Sequence, residues 1–302
     1  MTSFFALLSL VLVNSAESVE PAHGANTIYQ ALIEKGLEID GHHVRFPAPL
    51  LKDGQSGEQQ LDLLRGLLES DRKVAEFIRD SVTAPHVLKV KDESTPTTLI
   101  RRVDLWFAVH ADLDQIKPDS FTQQANDSKP VEVGNMRFES QVIPAEALQA
   151  KGINSQKTTG ATELFVHQTG RLLDRIHVEG TDQVLATQSA KSWILAARTD
   201  RRFDEDAKWP NRWWPIQRRD GRDVAGTAQN FPGGASYVVI NQLASDPKVL
   251  IAEAHFVFAE PRLWFDGAPI LRSKFSLIAQ DQIRRLRREV AKIRSRPAAN
   301  RP

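Results

Sequence analysis

The sequence predicts an α+β protein: one antiparallel sheet, two helices near the N-terminus, and a long C-terminal helix packed on the sheet. Three observations predict it. First, Thr98 to His110 alternates with period two. Leu99, Val103, Leu105, Phe107 and Val109 share one side, with Arg101 the exception, and Arg102, Asp104, Trp106 and His110 share the other. Second, apolar residues between 56 and 78 recur at helical spacing. Third, Ile283, Leu286, Val290 and Ile293 are spaced 3, 4, 3 near the end of the chain.

Asn26 to Lys35 predicts a short helix with Ile28, Ala31 and Leu32 on one side and Gly36 as its stop. Leu37 to Phe46 is extended, with a hairpin turn at Asp40-Gly41, and Pro47 and Pro49 end it. Ser56 opens a helix and Gln59 completes a capping box; Leu61, Leu64, Leu67 and Leu68 form its stripe. A second helix follows from Asp71, with Val74, Phe77 and Ile78 inward. After the strand from Thr98, the polar stretch 114–132 is a long loop or a lobe boundary. Met136 to Ile143 resumes an extended pattern, and Pro144 to Ala150 is a short helix. Further strands are expected at Thr162 to Gln168, Arg171 to Val178, Ser192 to Arg198, Ala235 to Leu243 and Val249 to Phe258. Residues 204–234 read as an irregular segment rich in Trp, Pro, Arg and Gly. The terminal helix runs for about twenty residues from near Ser273 or Ser276.

The N-terminus sets the expected compartment. Phe4 to Val13 is a run of ten uncharged residues, apolar except for Ser9, and Asn14-Ser15-Ala16 follows. That is the build of a secretory signal peptide, too short to span a bilayer as a helix. A buried core strand is its rival, and the n-region lacks Lys or Arg. Cleavage after Ser15 or after Ser18 both fit, so 1–18 is assigned to the signal and 19–302 to one mature domain. The expected location is the periplasm or the medium.

Hydrophobic residues make up 41 % and charged residues 25 %, which fits an ordinary globular chain. The absence of cysteine excludes disulfides, a thiolate metal site and a lipid-attachment cysteine. The net charge of +1 is unevenly placed: residues 284–302 carry +7 and the remainder −6. Sorting on that scale asks for an explanation.

The order of helix, strands, two helices, antiparallel strands and one terminal helix resembles the helix-grip fold of START and polyketide-cyclase proteins. That resemblance implies a curved sheet around the helix and an enclosed apolar cavity. The extra helix at residue 26 and the basic terminal helix depart from it. The chain, Trp264 to Lys292 above all, also resembles exported bacterial proteins of unknown function, which implies no activity.

The chain lacks G-x-S-x-G, H-E-x-x-H, P-loop and G-x-G-x-x-G motifs. Glu253 and His255 lie two apart on an expected strand and share a face. A carboxylate beside an imidazole suits general-base work; the plainer reading is a cross-strand ion pair. His167 and His177, with Glu163 and Glu179, offer a remote metal possibility, but no cofactor or metal is expected. Trp209, Arg212, Trp213 and Trp214 offer aromatic planes beside guanidinium groups for a small ligand or glycan; the plainer reading is that the tryptophans anchor an irregular segment. Arg284, Arg285, Arg287 and Arg288 form a candidate surface for an anionic envelope component, against the plainer reading of a solvated helix face. Nucleic acid is the least expected partner of an exported chain.

The leading expectation is an exported non-enzymatic protein that binds an apolar or envelope ligand. In its most specific form it encloses an apolar cavity of several hundred Å3. Two alternatives stand beside it: an exported hydrolase using Glu253 and His255, joined by Asp104 or His177, and a scaffold docking by its basic terminal helix.

Overall fold

The computed structural model describes residues 22–115, 130–133, 135–154, 157–158, 161–268 and 270–294. The expected signal peptide, most of the polar stretch 114–132 and the last residues of the basic tail lie outside the described residues.

The N-terminal elements form where the local signals place them. Helix α1 (Thr27–Glu34) is capped by Asn26, whose Oδ1 accepts the Tyr29 N–H at 3.0 Å. The same buried side chain donates to the Leu185 carbonyl at 3.0 Å, so the cap also pins the helix to the sheet. Gly36 follows at φ +72°, where a Cβ would sit 2.5 Å from the Val44 carbonyl oxygen. Strands β1 (Leu37–Ile39) and β2 (His42–Val44) form the expected hairpin, with Asp40 and Gly41 both at positive φ. Helix α2 (Gly57–Leu68) starts at Ser56 with both bonds of the capping box made to Gln59, and α3 (Asp71–Phe77) is capped by Ser70.

The sheet is built from β3 (His86–Ser94), β4 (Thr98–His110), β5 (Val131–Val133) and β6 (Met136–Val142). After the short helix α4 (Ala145–Gln149) come β7 (Lys157–Thr158), β8 (Ala161–Leu172), β9 (Ile176–Gln188) and β10 (Ser192–Thr199). Then follow β11 (Arg212–Arg219), β12 (Arg222–Ala225), β13 (Gln229–Asn230), β14 (Gly234–Leu243) and β15 (Asp246–Pro261), and the chain closes with α5 (Ile270–Arg294). The main path is β3-β4-β15-β14-β10-β9-β8-β6-β5, with β7 beside β8, and β11 beside β9 carrying β12 and β13. The pairings are antiparallel.

Three sequence expectations differ from this. Arg171 to Val178 is not one strand: β8 ends at Leu172, the chain turns through Leu173 and Asp174 at positive φ, and β9 begins at Ile176. The segment 204–234 is not irregular throughout, because β11 and β12 pair as a hairpin from Ile216 to Ala225. Helix α5 begins at Ile270, and its buried face is broader than the four-residue stripe, adding Leu271, Phe275, Ile278 and Ala279.

Helix α5 lies against one face of the sheet, in a core with Val103, Leu105 and Phe107 of β4, Ala252, Ala254 and Phe256 of β15, and Trp193 and Leu195 of β10. An enclosed chamber would leave accessible surface on its walls, and these residues have almost none. The described parts of helix and sheet therefore close on each other by direct packing, and the expected apolar chamber between them is absent among the described residues.

The opposite face is covered as well. Ile28, Leu32, Ile39 and Phe46 pack on Ile194, Ala196, Tyr237 and Val239. Farther along, Leu64, Leu68, Val74 and Phe77 of the paired helices pack on Trp106, Ala108 and Ile251. The molecule is thus three layers deep, and the side of β4 that carries Arg102, Asp104 and Trp106 lies beneath residues 26–78. Among the described residues no helix is long and apolar enough to cross a membrane.

Candidate functional site

The antiparallel register brings Glu253 and His255 to a third polar group. Asp104 of β4 stands directly opposite His255 of β15, and Tyr237 of β14 stands on its other side. His255 Nδ1 lies 2.6 Å from Asp104 Oδ1, and Nε2 lies 2.8 Å from Glu253 Oε1. Glu253 Oε2 accepts the Leu50 N–H at 2.7 Å, Arg102 donates to both oxygens of Asp104, and the Tyr237 hydroxyl donates to the Pro47 carbonyl at 2.6 Å. The Tyr237 and Trp106 rings flank the imidazole at 4.8 and 5.4 Å between centroids.

Burial opposes a charge on His255, but the hydrogen bonds and charges of Asp104 and Glu253 overturn it and raise its pKa. Burial likewise opposes the Asp104 carboxylate, and the bond to His255 with the charge of Arg102 lowers its pKa on balance. The imidazole is held between the Asp104 and Glu253 side chains, which favour its charged form.

That geometry limits the chemistry. Both ring nitrogens are bonded within the trio, so His255 has no nitrogen free to meet a substrate. Exposure is 1 % at His255, 2 % at Glu253 and 5 % at Asp104, and the chain from Arg45 to Leu50 lies over them. The trio ties that covering segment to the sheet. His177, the other residue considered beside Glu253, sits elsewhere, with its ring stacked 4.1 Å from Trp214.

The tryptophan-rich segment divides by depth. Trp209 is buried against Phe165 and Phe203, and Trp213 is buried in the main core edge-on to Trp264, so neither presents a face to a ligand. Asn211 is buried between them and holds the segment through Thr181 N–H, the Asp200 carbonyl and Asp204. Only Trp214 and Arg212 remain partly exposed, and Arg212 is paired with Glu179 at 3.1 Å. His167 is buried and bonded to the Thr181 hydroxyl at 2.9 Å; burial pushes its pKa down to about 4. It pairs across the sheet with Thr181, four residues from His177, which is roughly 13 Å at strand rise. Among the described residues no group of three or more His, Asp or Glu could hold a metal ion.

The terminal arginines also divide. Arg285 and Arg288 are exposed and Arg284 is half-buried, but Arg287 points inward and donates to main-chain carbonyls of Ala84 and Ala108. It is therefore no part of the exposed basic face expected to meet an anionic envelope component, because one helical face carries both the core stripe and this guanidinium.

Two grooves on the surface were not legible in the sequence. A cleft of about 580 Å3 separates α1 and β1 from the ends of β10 and β14. Its walls include Arg198, Arg201 and Arg202, with Arg202 neutralised by Asp200 and Arg198 bonded only to Gln183 among the described residues. Ile28, Leu32 and Ile39 back it but are buried, and its inner surface is mixed polar and apolar. The second is a trough of about 420 Å3 along α5, between that helix and the β5–β6 and β8–β9 turns. Leu173 and Leu277 give it accessible apolar surface over the buried Met136 and Ile278, and Lys274 and Arg284 stand on its rim with Asp281. Leu277 is 61 % exposed.

No known family model matches the chain, and no curated protein matches it. Among solved structures the chain is similar to human STARD10, over 78 % of this chain and 80 % of that one, at 9 % identity and a TM-score of 0.35. This is a weak resemblance of fold.

Proposed function

We propose that the protein is an exported, non-enzymatic binder of an anionic amphiphile of the cell envelope, held in the trough beside α5. The observation that carries this is Leu277, exposed within an apolar trough whose rim bears Lys274 and Arg284. An acyl chain would cover Leu277 and Leu173, and the two cations would meet an acidic head. The export limb rests on the Phe4–Val13 run; the intact mass of the protein recovered from periplasm tests it, and an uncut chain would count against it.

Binding is tested by calorimetry with sodium laurate as the anionic probe and lauroylcholine as the cationic one. Laurate is expected to bind at one site, and Leu277→Glu to weaken it by about tenfold or more, ~1.4 kcal/mol. Equal binding of the two probes, or laurate binding unchanged in Leu277→Glu, would contradict the reading. Deleting residues 284–302 is an unsuitable test of docking by the helix, because it removes the core residues Leu286 and Val290 with the surface arginines. Reversing Arg285 and Arg288 alone is the clean version.

A further inference from the structure

Arg287 is 7 % exposed, and every hydrogen bond it makes goes to a neutral main-chain oxygen. Nε donates to Ala108 at 2.9 Å, Nη1 to Ala84 at 2.5 Å and Val82 at 3.4 Å, and Nη2 to Pro85 at 3.5 Å. A guanidinium has five N–H groups, so one Nη2 N–H has no acceptor among the described residues. No carboxylate among the described residues pairs with it. Burial pushes its pKa down to about 10, as it must for a cation withdrawn from water without a counter-charge.

Beside this guanidinium is a cavity of about 190 Å3 that adjoins the trough and shares Gln280 and Arg284 with it. Arg284 and His86 line it with Arg287, together with main chain from Val82 to Pro85. Neither the Arg284 guanidinium nor the His86 ring has a hydrogen-bonding partner among the described residues. Asp80, just upstream, is neutralised by Arg294 through contacts of 2.9 and 3.0 Å. The pocket is therefore lined by two cations and an imidazole, with no acidic side chain in its wall.

We infer that this cavity binds an oxyanion, a phosphoryl or sulfate group, held by Arg284, His86 and the free N–H of Arg287. A tetrahedral oxyanion offers acceptors in several directions, which suits donors converging from a helix, a strand start and a loop. It would also supply the counter-charge that Arg287 lacks.

The test is calorimetric titration of the mature chain with sodium phosphate in a phosphate-free buffer, with sulfate as competitor. One saturable site is expected, weakened about tenfold in Arg284→Gln and again in His86→Phe, each having lost a donor to a charged group. Both side chains are partly exposed, so the fold is expected to survive, as circular dichroism would show. Dihexanoyl phosphatidic acid distinguishes the sources: tighter binding than phosphate marks a lipid head, equal binding a free anion, and both support the site. His86→Phe should weaken phosphate but leave laurate binding unchanged, which separates this site from the trough that shares Arg284 with it. Absence of saturable phosphate binding, or affinity unchanged in both Arg284→Gln and His86→Phe, would overturn the assignment.

Discussion

Replacing His255 with alanine should destabilise the protein by about 3–5 kcal/mol, because it leaves two buried carboxylates facing each other without a cation. Asp104 keeps Arg102 and Glu253 keeps the Leu50 N–H, but the charge at their centre is gone. The pH dependence carries the sharper signature. In the wild type the raised pKa of His255 means that its contribution is complete below its ordinary value near 6.5. It is lost as pH rises through the higher folded-state value. The lowered pKa of Asp104 works at the other end: its contribution is present above the usual carboxylate range and is lost as pH falls through its folded-state value. His255→Ala should abolish the first trend, so the stability gap between the two proteins should be widest at and below about pH 6.5 and narrow as pH rises through the raised folded-state value of His255. Urea unfolding of both proteins across that range measures the difference. A loss below about 1 kcal/mol, or parallel pH profiles, would show that the trio does not hold the segment over the sheet.

The second large effect is expected at Arg101. Its side chain is fully buried, with Nη1 3.1 Å from both oxygens of Asp92 and Nη2 2.7 Å from Glu260. Arg272 of α5 reaches Asp92 at 2.7 Å, and the Arg101 guanidinium lies 5.7 Å from the centre of the Phe275 ring. This network fastens the start of the terminal helix to the sheet. Arg101→Met strands Glu260, whose pKa burial already raises despite Arg101, and should cost about 3–5 kcal/mol. Adding Glu260→Leu should recover most of that loss, since an apolar pair of similar volume needs no counter-charge. Thermal unfolding of the three proteins decides; a double variant no better than the single one would place the cost in packing against Phe275 instead.

What the sequence made legible was local. The Ser56–Gln59 capping box, the Asp40-Gly41 turn and the span of β4 each depend on residues a few positions apart, and each forms as its pattern requires. Period two showed which side chains of β4 share a face, but not what covers that face, because the cover comes from residues 26–78. The partnership of His255 with Asp104 depends on a register between residues 151 apart. The same limit applies to Arg101, an oddity on an apolar face until Glu260 is placed beside it. Arg287 sits among basic neighbours in the sequence, but helical phase puts it beside Ile283 and Val290 on the buried side, a signal masked by the density of arginines around it. The trough and the cleft join distant turns and helix ends, which no single-chain pattern marks.

The most direct test of the binding account is a two-dimensional amide NMR titration of the mature protein with laurate. The account predicts shift changes gathered at Met136, Leu173 and the α5 turns carrying Lys274, Leu277 and Arg284, and lost in Leu277→Glu. Changes gathered instead around Arg198 and Arg201, or no saturable change anywhere, would contradict it.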